Sequence, residues 1–162
     1  MQRLEEQLGK LLIEHNLTAA TAESCTGGLL SSKLTDVTGS SAYIKLNYVT
    51  YANEAKQAIL GVKEETLKSY GAVSYECAYE MAKGLAKVTN CNLAICTTGI
   101  AGPLQDEGKP VGLIYIGVSF NSSIKVKRFL IQDKLTKAEM KDRFANLALQ
   151  MAYDIISKEI PQ

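Results

Sequence analysis

The chain has 162 residues, of which 46% are hydrophobic and 22% are charged, and its formal net charge is +1. This length and composition predict one globular domain over residues 1–162 that buries its own core without a disulfide or metal staple. Acidic and basic residues are interspersed along the sequence. Because a nucleic-acid-binding surface needs a basic stripe, no nucleic-acid partner is expected.

Hydrophobic periodicity and turn residues divide the chain into helices and strands that largely alternate. The predicted helices cover residues 2–15, 27–35, 54–60, 63–71, 74–88 and 136–158. The predicted strands cover residues 16–24, 42–51, 93–99, 111–120 and 124–133. The last two strands are joined by "NSS", which is too short for a parallel crossover. The sequence therefore predicts an α/β fold, with a mixed sheet and helices on both faces.

Turn and cap residues place several of these boundaries. Asn53 is predicted to cap the third helix, and Gly61 to end it. Gly71 is predicted to end the fourth helix, and Ser74 to begin the fifth.

The cysteines and the N-terminal segment indicate the cellular compartment in which the protein is expected. There is one histidine, His15, and the four cysteines include no C-x-x-C pair. A zinc site is therefore not expected, and the thiols are predicted to be reduced. The first 16 residues lack a signal-peptide core, and no apolar run approaches the length of a membrane span. A cytoplasmic protein with no membrane partner is expected.

The segment "TAESCTGGLL" (21–30) marks a candidate site at a predicted strand-to-helix junction. Four polar or reactive side chains stand side by side in it: Glu23, Ser24, Cys25 and Thr26. The start of a helix offers free N–H groups that can hold an anion or an oxyanion. Gly27 and Gly28 would allow a ligand to approach that backbone closely. The alternative is that Ser24 or Thr26 only caps the helix.

Lys56, in "TYANEAK", is the candidate activator of Ser24. A lysine near a helix N-terminus feels the positive end of the dipole, which lowers its pKa toward that of a neutral base. The alternative is an ordinary solvated lysine. Tyr51 could orient Ser24 through its hydroxyl, or simply be a half-buried strand aromatic. Cys25 is a rival nucleophile whose pKa the helix start is expected to lower, but it lacks a histidine partner.

A second polar loop, "TTGIAGP" (97–103), leaves the strand over 93–99. Its hydroxyls and glycines are expected to line the same crevice, although a simple turn would need the same glycines and proline. Arg143, at the edge of the apolar stripe of the last helix, could reach a phosphate or pair with a surface acid.

The motifs "TAESCTGG", "VTYANEAK", "GAVS" and "TTGIAGP…KPVG" together resemble the CinA C-terminal domain family, from about residue 4 to residue 157. The resemblance implies a three-layer α/β/α sandwich. It also implies hydrolysis of the carboxamide of nicotinamide mononucleotide, which gives nicotinic acid mononucleotide and ammonia without a metal or other cofactor. A homodimer is implied as well. The chain resembles the stand-alone form of the family rather than the form fused to a larger N-terminal domain.

Carried over residue by residue, the resemblance assigns Ser24 as the nucleophile, Lys56 as the base and Tyr51 as the assisting tyrosine. It implies the following substrate-binding residues: Glu23, Thr26, Gly27, Gly28, Thr98, Gly99, Ile100, Ala101, Gly102 and Arg143.

One segment departs from the family pattern. After "GIAGP" the family has a Gly-Gly-Thr stretch and a glutamate before "KPVG", whereas this chain reads "LQDEGKPVG", which is shorter over 104–109 and lacks the Gly pair. Two alternatives therefore stay open beside the amidase. One is a module that binds a nucleotide or phosphate ligand without turning it over, and the other is an amidase for a different amide.

Overall fold

A five-stranded sheet forms the centre of the molecule in the computed structural model, which describes residues 1–160. Its strands are β1 (Ala19–Glu23), β2 (Ile44–Val49), β3 (Leu93–Gly99), β4 (Leu113–Phe120) and β5 (Ser123–Leu130). The strand order is β2-β1-β3-β4-β5. Strand β1 runs parallel to β2 and β3, whereas β3–β4 and β4–β5 are antiparallel. The predicted mixed sheet is confirmed.

Helices cover both faces of this sheet and complete the predicted three-layer α/β/α arrangement. They are α1 (Leu4–Glu14), α2 (Leu29–Thr35), α3 (Asn53–Leu60), α4 (Glu64–Tyr70), α5 (Tyr75–Thr89) and α6 (Lys137–Glu159). Helices α1, α2 and α6 pack together on one face, and α5 covers the other with α3 and α4 against it. Each face has its own buried apolar cluster, because the sheet separates them.

All eleven predicted elements are present, with ends that differ by at most three residues. One cap prediction is wrong: Asn53 is the first residue of α3, and Ala52 occupies the cap position. Gly61 ends α3 with a φ of 70°, as predicted. The hairpin between β4 and β5 turns on Asn121 and Ser122, whose φ angles of 48° and 71° suit a two-residue turn.

The crossing of α3 and α5 depends on Gly84. A Cβ at this position would overlap the backbone carbonyl of Leu60, at the end of α3. Gly→Ala inside a helix normally raises stability by up to about 1 kcal/mol. Gly84→Ala is expected to do the opposite and lower the free energy of unfolding by about 1–3 kcal/mol, because two backbones would be forced apart. Urea denaturation checks the sign, and a stabilised variant would contradict this packing.

No helix among residues 1–160 combines the length and apolar character needed to cross a bilayer. All four cysteines are free thiols, and Cys25, Cys77 and Cys96 are buried.

Candidate active site

The candidate site lies where the carboxyl ends of the parallel strands meet. Ser24 follows β1, Tyr51 follows β2 and the segment 98–102 spans the end of β3 and the loop beyond it. These segments surround a cavity of about 370 Å³, whose lining also includes Lys56. Because β1 lies between β2 and β3, loops far apart in sequence converge on one edge of the sheet.

Ser24 and Lys56 are in direct contact in this cavity. Nζ of Lys56 lies 3.1 Å from Oγ of Ser24 and donates a second hydrogen bond, 2.9 Å long, to the carbonyl of Tyr51. Lys56 is 1% exposed and Ser24 is 8% exposed. Lys56 forms no ion pair within residues 1–160. Burial, which disfavours the ammonium form, lowers the pKa of Lys56.

Tyr51 touches this pair through its backbone rather than its hydroxyl. Its carbonyl accepts from Nζ of Lys56 and lies 3.5 Å from Oγ of Ser24. The residue is 63% exposed, and it lines the cavity. The chain leaves β2 at Val49 and turns into α3 two residues after Tyr51, which explains why the carbonyl can reach Lys56.

Glu23 lies beneath the nucleophile turn and does not line the cavity. It is fully buried, and its carboxylate accepts hydrogen bonds from the amides of Leu30 (2.8 Å) and Ser31 (2.9 Å). The hydroxyls of Thr26 and Ser31 also donate to it. Oγ1 of Thr26 lies 2.8 Å from Oγ1 of Thr97, which ties the turn to β3. Glu23 and Thr26, predicted as substrate contacts, thus fasten the start of α2 to the sheet.

The turn itself needs glycine at two positions. Gly27 and Gly28 have φ angles of 59° and 102°, in the left-handed region. The Gly27 amide donates to the Ser24 carbonyl at 3.1 Å and is therefore already used. The amides of Cys25, Thr26 and Gly28 make no hydrogen bond within residues 1–160. Of the three residues, Cys25 lines the cavity, so its amide is the donor that the turn can offer to an oxyanion.

Cys25 is not a competing nucleophile. Burial raises the pKa of its thiol to about 12, and a hydrogen bond with Thr97 only partly opposes this effect. The expectation that the helix start would lower this pKa is wrong, because desolvation of the thiolate dominates. The thiol therefore stays protonated at neutral pH.

The loop that leaves β3 forms another wall of the cavity. The five predicted residues at the end of β3 and in this loop all line the cavity: Thr98, Gly99, Ile100, Ala101 and Gly102. The Thr98 hydroxyl donates to the carbonyl of Ala72 at 2.8 Å, so it supports the wall rather than facing a ligand.

Arg143 lies outside the cavity lining, and its Nη1 pairs with Asp133 at 3.2 Å. Two lysines of the same helix approach the site instead. Lys137 lines the cavity, and a Cβ on Gly27 would lie 3.3 Å from Nζ of Lys141. Positions 137 and 141 are one helical turn apart and share a face of α6, whereas position 143 points elsewhere. Neither lysine forms an ion pair within the described part of the chain. Sequence reasoning missed both, because which face of α6 meets the site depends on how the helix packs on the sheet.

Among residues 1–160, no group of three or more His, Cys, Asp or Glu side chains is arranged to hold a metal ion.

Curated relatives are similar to this chain in sequence, and solved structures are similar to it in fold. A competence-damage inducible protein of Clostridium acetobutylicum is 48% identical over 158 residues, covering 97% of this chain and 37% of the relative. A CinA-like protein of Chloroherpeton thalassium is 46% identical over 160 residues, covering 95% of this chain and 37% of the relative. The chain thus spans little more than a third of the length of these curated relatives.

Two crystal structures cover nearly the whole chain. A CinA superfamily protein from Klebsiella pneumoniae superposes with a TM-score of 0.91 at 29% identity, and the match covers 96% of each chain. A competence/damage inducible protein from Agrobacterium tumefaciens superposes with a TM-score of 0.86 at 35% identity, and the match covers 97% of this chain and 98% of that chain. Residues 1–156 match the profile of the CinA C-terminal domain, and the chain belongs to that family.

Proposed function

We propose that the protein is an amidohydrolase that converts nicotinamide mononucleotide to nicotinic acid mononucleotide and ammonia. The observation that carries the proposal is the 3.1 Å contact between Oγ of Ser24 and Nζ of a buried Lys56. A lysine with no ion-pair partner and a lowered pKa loses its proton more readily than an ordinary lysine, and its neutral form can accept the serine proton. Membership of the family supports the choice of substrate.

The first half of the reaction forms an acyl-serine. Neutral Lys56 takes the hydroxyl proton of Ser24 as Oγ attacks the carboxamide carbon. The amide of Cys25, the residue after the nucleophile and part of the cavity lining, is the donor that the turn offers to the oxyanion that forms. Lys56, now an ammonium group, returns its proton to the leaving nitrogen, and ammonia departs.

The second half releases the acid. Lys56 is neutral again and accepts a proton from water as the water attacks the ester carbon. The ester bond to Oγ breaks, and Ser24 recovers its proton from Lys56. The Tyr51 carbonyl, 2.9 Å from Nζ, holds one N–H in place through both halves so that the nitrogen stays directed at Ser24.

Lys137 and Lys141 are the proposed phosphate contacts, in place of Arg143. Removing both side chains (Lys137→Ala with Lys141→Ala) is expected to raise KM for nicotinamide mononucleotide about tenfold or more, because two phosphate-directed charges are lost. The KM for the riboside, which lacks the phosphate, should change little. Lys134→Ala, an exposed lysine outside the cavity lining, is the matched control. Equal effects on both substrates would contradict this assignment.

A second candidate is an amidase whose substrate lacks the phosphate. Asp106, in the shortened loop, puts a carboxylate at the cavity, where a phosphate would be repelled. Ammonia release from the nucleotide, the riboside and free nicotinamide, measured side by side, separates the two candidates. Preference for the riboside or the free amide would favour the second. Thermal stabilisation by the nucleotide without any ammonia would indicate a binding module. The homodimer stays a prediction.

A further inference from the structure

The shortened loop is fastened to the segment 70–73, which begins where α4 ends. The Glu107 carboxylate accepts the amide N–H of Ala72 at 2.7 Å and that of Val73 at 3.1 Å. Nζ of Lys109 donates to the carbonyls of Tyr70 at 2.7 Å and Val73 at 2.6 Å. The same Nζ lies 3.1 Å from Oε1 of Glu107. Each of the two side chains thus makes two hydrogen bonds to the same stretch of backbone.

The backbone on both sides is shaped for this contact. Gly71 has a φ of 80°, and a Cβ there would overlap the Glu107 carboxylate. Glu107 itself has a φ of 54°, which is uncommon for a residue with a side chain. Positions of this kind persist only where the surrounding contacts hold them.

The contact is charged at neutral pH. Burial acts to raise the pKa of Glu107, but hydrogen bonds from Val73, Ala72 and Lys109 outweigh it, and the net pKa is below the ordinary value. The side chains of Lys109 and Glu107 are 28% and 23% exposed, so solvent reaches the pair only in part.

The fastened segment is part of the cavity. Ala72 and Val73 line it together with Ser24 and Lys56. The Thr98 hydroxyl, at the end of β3, donates to the Ala72 carbonyl. Glu107 and Lys109, in the loop beyond β3, restrain the same segment through the other bonds described above.

We propose that Glu107 and Lys109 are a positioning pair that holds Ala72 and Val73 as one wall of the cavity. The shortened loop then sets the position of the substrate through this wall, since both carboxylate oxygens of Glu107 are already occupied by protein donors. The identity of the substrate rests on the proposed function, whereas the contact of the positioning pair with Ala72 and Val73 does not.

The experiment compares wild type with Glu107→Gln and Lys109→Met. Glu80→Gln is the matched control, because Glu80 also accepts a backbone N–H, that of Lys63 at 2.9 Å, outside the cavity lining. Amide hydrogen exchange at Ala72 and Val73 in the free protein should be about tenfold faster or more in both test variants. KM for nicotinamide mononucleotide should rise about tenfold, with kcat changed by less than about threefold. Glu80→Gln should change neither.

Two results would overturn the inference. The first is an active wild type together with two variants whose KM for nicotinamide mononucleotide is unchanged. This result would overturn the positioning role and leave the proposed function intact. If the wild type releases no ammonia from the nucleotide, the proposed function fails, and amide hydrogen exchange alone tests the positioning pair. Unchanged exchange at Ala72 and Val73 in the variants would then overturn it. Lys109→Met removes the bonds to the carbonyls of Tyr70 and Val73 that hold this segment in place, so it provides the test if Glu107→Gln does not fold.

Discussion

Lys56→Met is expected to lower ammonia release from nicotinamide mononucleotide on the order of 100- to 10,000-fold, the usual contribution of a general base. Ser24 would keep its hydroxyl, but the other group near Oγ is the Tyr51 carbonyl at 3.5 Å, which cannot take a proton in the reaction. Because Lys56 is 1% exposed and methionine has a similar volume, the folded state should be at least as stable as in the wild type. Steady-state kinetics check the expected loss of activity, and thermal melting of the same preparation checks the expected stability.

Ser24→Ala should show a comparable loss, and adding Lys56→Met to it should cost little more, because the two groups act as one unit. Cys25→Ala is the matched control at the neighbouring position. Its thiol stays protonated, so activity should be retained. Wild-type rates in Ser24→Ala, or abolished activity in Cys25→Ala, would contradict the assignment of the nucleophile.

Glu23→Gln is expected to have the largest effect on stability. The carboxylate accepts four hydrogen bonds, including those from the amides of Leu30 and Ser31 at the start of α2. A glutamine amide would turn an NH₂ group toward some of these donors and leave them unpaired. A loss of about 3 kcal/mol in the free energy of unfolding is expected, which corresponds to roughly 6–12 °C in Tm for a chain of this size. The rate should also fall, because the turn that carries Ser24 would loosen.

The matched control for this variant is Glu139→Gln. Glu139 also accepts a backbone N–H at a helix start, that of Thr136 at 2.9 Å, but it is exposed to solvent. Water can replace the lost acceptor there, so a much smaller drop in Tm is expected. Equal stability of wild type and Glu23→Gln, measured by urea denaturation, would show that Glu23 does not anchor the turn.

The meeting of Ser24 and Lys56 follows from strand order. Local patterns predict a polar turn after each of the first two strands, and the carboxyl ends of parallel neighbours share one edge of a sheet. The family resemblance added the pairing itself. Neither source could reveal which atoms of Tyr51 face the pair, since that depends on how the backbone leaves β2 and enters α3.

The roles of Glu23 and Arg143 could not be read locally. A glutamate beside a serine suits a ligand contact as well as an internal anchor, and only the packing of α2 on the sheet distinguishes them. Arg143 lies outside the cavity lining because α6 turns it toward Asp133, while Lys137 lines the cavity and Lys141 reaches toward Gly27. The apolar stripe of a long helix fixes which of its residues face a neighbouring site. Successive residues point about 100° apart around the helix axis, so a small error in this rotation assigns the wrong residue to the site.

The dependence of Ser24 on an uncharged Lys56 is tested most directly by the rate at which a fluorophosphonate, a reagent for activated serines, labels the protein across a range of pH. Burial lowers the pKa of Lys56, and the neutral amine predominates above that pKa. Mass spectrometry should therefore place the label on Ser24, with a rate that rises with pH through a midpoint below the ordinary lysine pKa and is lost in Lys56→Met. Labelling that is equally fast in Lys56→Met, or that rises only at the ordinary lysine pKa, would contradict it.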